Sequence, residues 1–340
     1  MDIALLESKI KSLPVDEQNL IYNQLLSLVS DLSIDISSIQ AEQKSTESCH
    51  CPHCKSSNTK KIGFQYGVQR YCCKECGRNY RDTTGTFNAG MRKGKGEHMK
   101  IYMKHFLAGK SLRECAKQAE ISLPTSFKWR HRILAALESS QNQVLLKGII
   151  ESDEMFFTYS QKGQRNLDRE PRKRGKGMFE PKKRGISDDK VAVIISQDRK
   201  GSKHLKVATR GRISTNDLEQ VLKDKITPES ILCSDSHHSY IGFASKNNIT
   251  HKTIKASAKE LVKENKYHVQ HVNQTGSELK KWMEQFNGVS TKYLQQYLNW
   301  FAIKKQIEKA SIPLKSLILT ICTSYEVMEI LKNIPNLKYI

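Results

Sequence analysis

The sequence predicts an α/β chain with a mixed sheet, preceded by a small cysteine module and a helical module. Three observations predict it. From about residue 147, short β-branched runs alternate with helical stretches, the pattern of a sheet with helices packed on it. Six of the nine cysteines fall between residues 49 and 76. Between these two regions, residues 97–140 carry helical periodicity alone. At 340 residues, 38% hydrophobic and 27% charged, the chain has enough apolar material for a core and the composition of a globular protein. No run of about 18 apolar residues would cross a membrane. Met1-Asp2-Ile3-Ala4 begins without the basic region of a secretory signal. The 56 Lys and Arg against 35 Asp and Glu leave a net charge of +21, which points to a polyanionic partner, most simply nucleic acid.

In chain order, residues 1–45 read as an N-terminal helical region. Leu5, Leu6, Ile10 and Leu13, then Leu20, Ile21, Leu25 and Leu28, recur at intervals of three and four, and Pro14 suits a helix restart. Residues 49–87 hold the cysteines, and Gly90 to Gly96 is a basic, glycine-rich connector. Residues 147–310 form the α/β domain. Its strand candidates are Gly148–Asp153, Val191–Ile195, His204–Ala208 and Ser230–Asp235. A helix over Thr215–Lys225 is opened by Ser214 or Thr215. Residues 275–307 are expected to be helical again. Residues 311–340 complete the chain as a helical tail, with a helix over 313–333.

Cys51-Pro52-His53-Cys54 and Cys73-Lys74-Glu75-Cys76 are two CxxC pairs separated by eighteen residues. Each pair of thiolates can hold one edge of a tetrahedral Zn²⁺, and the hairpin expected over Gly63–Tyr71 joins them. Four thiolates leave no open position, so the zinc is structural. It supplies folding energy that so small a module lacks. Cys49, His50, His53 and Cys72 are alternative ligands outside the regular pairs. Lys60, Lys61, Arg70, Lys74 and Arg78 would give this ribbon a basic surface.

Within 97–140, Gly109 to Ala116 and Ile121 to Arg132 read as two short helices separated by a turn, the spacing of a helix-turn-helix. Lys128, Arg130 and Arg132 on the second helix are then the candidates to meet phosphates or base edges. Phe127, Trp129 and Ile133 read as core.

Asp153 and Asp235 each close an apolar, strand-like run. Carboxylates at strand ends can converge from adjacent strands and hold a divalent cation through oxygen. Asn273 starts a helix, and Lys280, seven residues on, shares its face. An amide oxygen can replace a carboxylate as a neutral ligand, and Lys binds phosphate as a point charge. Between the acids lies a basic insertion over 160–190, including Arg172, Lys173, Arg174, Lys182, Lys183 and Arg184. Its positive charge would offset phosphate repulsion beside an acidic pair.

These residues resemble the DDE-type transposases of bacterial insertion sequences, specifically the ISXO2-like group with an N-terminal zinc ribbon and Asn in place of the last acid. The resemblance rests on Cys51-Pro-His-Cys54, on Arg70-Tyr71-Cys72-Cys73-Lys-Glu-Cys76 and on Thr83-Thr84-Gly85-Thr86. It continues through Asp153-Glu154, Ser234-Asp235 and His271-Val-Asn273 with Lys280, to Gly288-Val-Ser-Thr-Lys-Tyr-Leu294. It implies an RNase H-like catalytic domain in which Asp153, Asp235 and Asn273 hold Mg²⁺ or Mn²⁺, and Lys280 contacts DNA phosphate. It also implies DNA as partner, both transposon ends and target, with cleavage followed by strand transfer. A homo-oligomer, cytoplasmic and nucleoid-associated in a bacterium, goes with that reading. Related sequences often carry Glu at the place of Gly276. Glu278 is therefore a rival third ligand, Glu151 and Glu154 are rivals to Asp153, and His237 and His238 could assist near Asp235. The alternative function is a non-catalytic, domesticated DNA-binding regulator.

Overall fold

A computed structural model describes residues 12–14, 17–18, 50–65, 68–81, 83–87, 89, 94–142, 144–168, 185–254, 262–308, 321 and 327–334. Most of the N-terminal helical region 1–45, and the insertion residues Arg172, Lys173, Arg174, Lys182, Lys183 and Arg184, lie outside them. So does most of the tail.

The ribbon is a three-stranded antiparallel sheet of β1 (Thr59–Gln65), β2 (Val68–Cys73) and β3 (Asn79–Arg81), in that order. The hairpin expected from the sequence is β1 and β2. The third strand was not foreseen, because three residues carry no alternation to read. Four buried residues make its core: Cys51, Cys73 and the stacked pair Tyr71 and Tyr80, whose rings lie 5.2 Å apart. The Thr83–Thr86 turn follows, closed by Thr86 Oγ1 donating to the Thr83 carbonyl at 2.8 Å. It delivers Phe87 into the main core, which gives that motif a packing role.

Three helices come next: α1 (Gly96–Leu107), α2 (Leu112–Gln118) and α3 (Leu123–Asn142). Ser111 caps α2, its hydroxyl accepting from Glu114 N at 3.2 Å. Ser122 does the same for Thr125 at the start of α3, at 3.4 Å. The main sheet follows, with order β6-β5-β4-β7-β8. Its strands are β4 (Ile149–Thr158), β5 (Lys190–Asp198), β6 (Lys203–Arg210), β7 (Ile231–Asp235) and β8 (Thr250–Ile254). β4, β5 and β6 are antiparallel, while β4, β7 and β8 are parallel, so the sheet is mixed as expected.

Alternation along the strands feeds two cores. Ile150, Ala192, Ile194 and Leu232 face α4 (Thr215–Leu222) and α5 (His238–Lys246), meeting Leu218, Leu222, Tyr240 and Phe243. Ser214 opens α4 with a capping box to Asp217. Val193, Ile195, Leu205 and Val207 face α6 (Gln270–Glu284) and α7 (Thr291–Glu308). The same core takes in Tyr102, Phe106, Ile133 and Leu134 from α1 and α3, and Val327 from α8 (Val327–Asn333). The helical module therefore packs as one body with the sheet.

Two readings are corrected here. The stretch expected to be helical over 275–307 is two helices, the first starting earlier at Gln270, with a break where Asn287 and Gly288 take left-handed backbone at φ 51° and 88°. Asp153 does not end its strand. β4 pairs with β5 on to Thr158↔Lys190, because Met155, Phe156 and Phe157 prolong the run that β5 can cover. Only against β7 does pairing stop early, at Glu151↔Cys233.

Candidate active site

That early stop makes the cleft. Beyond Glu151↔Cys233 the two parallel strands have no further paired residues, and the same register carried on two residues sets Asp153 level with Asp235. Asp153 is half-buried and Asp235 is exposed at the end of β7. Asp153 Oδ1 accepts from the N–H of Glu154 at 2.9 Å, and Asp235 Oδ1 from that of His237 at 3.0 Å. Among the described residues, no lysine or arginine pairs with either carboxylate. Burial, together with the charge of Asp235, pushes the Asp153 carboxyl up to about 6. Glu154 is pushed to about 7, first by burial and then by Asp153 and Asp235. One of its buried oxygens, Oε2, has no hydrogen-bond partner. Asp153 and Glu154 are thus raised beside Asp235 without a counter-charge, which is the electrostatics of a site completed by a cation. His237 spends its imidazole on capping α5, Nδ1 accepting from Ser239 N at 3.4 Å, and His238 is exposed.

Helix α6 crosses this face of the sheet. Val272, Thr275, Gly276, Leu279 and Met283 are buried against it. Gly276 marks the closest approach: a Cβ there would lie 3.0 Å from Met155 Cε and 3.7 Å from Ile195 Cδ1. Gly276 therefore faces β4 and β5. On the other side, Thr275 Oγ1 donates to Gln197 on β5 at 2.7 Å and receives Lys203 Nζ from β6 at 2.9 Å. This orientation sets which flank of α6 lies beside β4. At about 100° per residue, Asn273 and Lys280 lie within about 20° of each other on the Gly276 side. That flank adjoins the side packed on β4, and both residues are exposed. Asn273 is the fourth residue of the helix, and Val269 is its N-cap, so Asn273 is free of a capping role.

Glu278 stands about 140° around the helix from Asn273. It pairs with Lys305 on α7 at 2.8 Å and accepts from Gln274 at 2.9 Å. Burial raises its carboxyl, but these partners outweigh that and hold it below the usual range. Its carboxylate is thus already engaged by Lys305 and Gln274.

Glu151 is buried at 1% exposure and does different work. Its oxygens accept from the backbone N–H groups of His271 and Val272 at 2.8 and 3.1 Å. Arg199 Nη1 lies 3.2 Å away and His271 Nδ1 2.7 Å away. Glu151, His268 and His271 are close enough together to suggest a metal group. The Arg199 guanidinium stands among them, within 3.0 Å of both imidazoles, and its charge opposes a cation there.

In the ribbon, the four sulfurs of Cys51, Cys54, Cys73 and Cys76 lie within 4.8 Å of one another. Each CxxC pair closes a matching turn, with Lys55 N donating to Cys51 O at 2.8 Å and Gly77 N to Cys73 O at 3.0 Å. The backbone N–H of Cys76 aimed at its sulfur is the largest influence lowering Cys73 to about 7. This group can hold a tetrahedral metal. Cys72 points elsewhere, to the carbonyls of Cys73 and Gly77, and His53 is exposed. Cys49 lies outside the described residues.

Two of the three cations assigned to the helix-turn-helix surface are corrected. Arg130 is fully buried. Its guanidinium sits 5.0 Å from the Trp300 ring centre and 5.9 Å from those of Phe106 and Phe286, and Nη2 donates to Lys110 O at 2.6 Å. The helix turns that side into the core, so the residue is a packing element. Arg132 is half-buried, with Nη1 donating to Ala89 O at 2.7 Å. Lys128 is exposed as expected, and beside it stands Phe127, which was read as core but is 40% exposed.

Residues 145–305 match the ISXO2-like transposase domain. Over these residues the chain is similar to the ISXO2-like transposases. It is also 26% identical over 270 residues to an uncharacterised protein in transposable element ISH50 of Halobacterium salinarum, covering 76% of this chain and 85% of that one. Among solved structures, it resembles the pre-cleavage Mos1 transpososome at 10% identity, with 74% of this chain and 82% of that one covered and a TM-score of 0.26. The Mos1 strand transfer complex is similar at 15% identity, 71% and 80% coverage and a TM-score of 0.28. Among the described residues, no helix is long and apolar enough to cross a membrane.

The last family motif, Gly288 to Leu294, has a structural role. Ser160 N donates to Thr291 Oγ1 at 2.8 Å, and Lys162 Nζ donates to the carbonyls of Asn287 and Gly288 at 3.0 and 2.9 Å. The motif pins the entrance of the basic insertion to the turn between α6 and α7. This use was not legible in the sequence, because its two partners lie about 130 residues apart.

Proposed function

We propose that this chain is the DNA transposase of an insertion sequence, binding transposon ends and catalysing metal-dependent strand cleavage and transfer. The observation that carries the proposal is the level placement of Asp153 and Asp235, two residues beyond the last paired residues of β4 and β7, without a basic counter-charge. Antiparallel β4, β5 and β6 followed by parallel β7 and β8 is the arrangement expected of an RNase H-like domain. The donor set of two carboxylates and one amide oxygen, Asp153, Asp235 and Asn273, is hard and suits Mg²⁺ or Mn²⁺. Such an ion supplies Lewis-acid stabilisation of the phosphate and of the attacking and leaving oxygens.

The chain's own residues do the rest. Asp153, half-buried, and Asp235, exposed, fix two sides of the site. Asn273 closes the third without adding a negative charge that phosphate would meet. Lys280, two turns along on the same flank, offers phosphate a point charge beyond the site. The ribbon, with structural zinc on Cys51, Cys54, Cys73 and Cys76, and the exposed start of α3 at Lys128 supply DNA contact away from the chemistry. Two DNA ends have to be cut and joined, so the working form is a homo-oligomer.

The test is Mg²⁺- or Mn²⁺-dependent cleavage of DNA carrying the element's own ends. Asp153→Asn and Asp235→Asn should each lower the rate by about 100-fold or more while leaving end binding intact. Glu278→Gln should stay within a few-fold of the parent. Full activity in either Asp variant overturns the assignment and leaves the DNA-binding regulator.

A further inference from the structure

We infer that Glu151 is a positioning residue: it docks the first turn of α6 onto β4 and so sets Asn273 beside Asp153 and Asp235. The inference rests on the metal-site reading of those three residues. Glu151 and Asp153 share one face of β4, two residues apart. Asn273 follows directly on the two residues whose N–H groups Glu151 receives, His271 and Val272. One strand thus carries both the first ligand and the clamp for the third.

The chemistry of the clamp is specific. The first N–H groups of a helix have no partner within it, and a carboxylate satisfies two of them while complementing the helix dipole. Because Glu151 is 1% exposed, water does not replace it. Arg199 balances its charge at 3.2 Å, and also donates to the Lys266 carbonyl at 3.1 Å and to His268 Nε2 at 2.7 Å, tying in the segment that leads into α6. The second pin, Thr275 with Gln197 and Lys203, holds the other side of Asn273. Asn273 is therefore held from both directions along the helix, although its own side chain is exposed.

Glu151→Gln keeps the volume and one oxygen for the two backbone N–H groups, but without the charge that complements the helix start, and it sets an NH₂ group against the Arg199 guanidinium in place of the ion pair. Mn²⁺ affinity of the full chain, read by electron paramagnetic resonance, should fall about 10-fold or more, as loss of an orienting partner does at metal sites. The ribbon zinc content should not change. The decisive readout is coupling. Asn273→Asp should alter Mn²⁺ affinity in the parent and have a much smaller effect in Glu151→Gln. Equal effects of Asn273→Asp in both backgrounds overturn the inference. Amide hydrogen exchange in the absence of metal gives a second measure. Glu151→Gln should speed exchange at His271, Val272 and Asn273 and leave Leu279 to Met283 unchanged, and unchanged exchange in the first turn also overturns the inference. Absence of Mn²⁺ binding in the parent would instead defeat the metal-site reading, with hydrogen exchange still testing the clamp. Should Glu151→Gln not fold, Arg199→Gln leaves both backbone bonds in place and should give the same signs with smaller size; no change in either measure then overturns the inference.

Discussion

Arg130 and Lys128 stand two residues apart on α3, and their side chains have opposite fates. Lys128 is exposed, whereas Arg130 is enclosed by Trp300, Phe106 and Phe286. In sequence both read as a basic recognition helix, because charge alone carries no sign of which helix face turns inward. The structure separates them, and mutation should too. Lys128→Ala should weaken DNA binding and leave stability within about 0.5 kcal/mol. Arg130→Ala should cost about 2–4 kcal/mol in urea unfolding, through lost packing and an orphaned Lys110 carbonyl. Equal stability of the two variants would contradict the buried placement. Asp153 yields a pH prediction. Its folded carboxyl, pushed up to about 6 from 3.8, keeps its proton where an unfolded chain releases it. The resulting stability is fully present below the unfolded value and is lost as pH rises through the folded one. Mn²⁺ favours the ionised form, so the melting-temperature gain on adding it should grow between pH 5 and 7. A gain independent of pH would tell against Asp153 as a ligand.

At the scale of elements, legibility followed local pattern. The two CxxC turns, the β-branched core strands and the Ser214 cap were readable because spacing or a residue type fixes each of them. Strand β8 and helix α5 were not foreseen: Thr250–Ile254 lies half-exposed at the sheet edge with little apolar signal. The split between α6 and α7 was missed because Asn287-Gly288 sits inside an otherwise helical pattern, and its left-handed backbone shows only in the fold. The ribbon has a separate core of four buried residues, two of them cysteines. Removing the zinc proposed for it with a strong chelator should abolish the β1–β3 sheet while the β4–β8 sheet persists. Amide exchange read separately over 50–81 and 190–210 checks this, and protection lost equally in both, or in neither, would contradict it.

Across the whole molecule, the excess positive charge and the acidic site are parts of one arrangement. The sheet sets Asp153 and Asp235 level on adjacent strands whose sequences lie 82 residues apart, and the proposed site adds Asn273 from α6. The acids were legible as candidates, since each followed an apolar run. Their convergence was not, because it depends on β4 and β7 being parallel neighbours and on where their pairing stops. Nor was the choice between Asn273 and Glu278 legible, since it turns on which flank of α6 faces β4. The most direct test of the central claim is anomalous diffraction from crystals of the full chain soaked in Mn²⁺. The account predicts a manganese peak about 2 Å from carboxylate oxygens of Asp153 and Asp235 and from the Asn273 amide oxygen. A peak held by Glu278, or by Glu151 with His268 and His271, with none between the two aspartates, would contradict it.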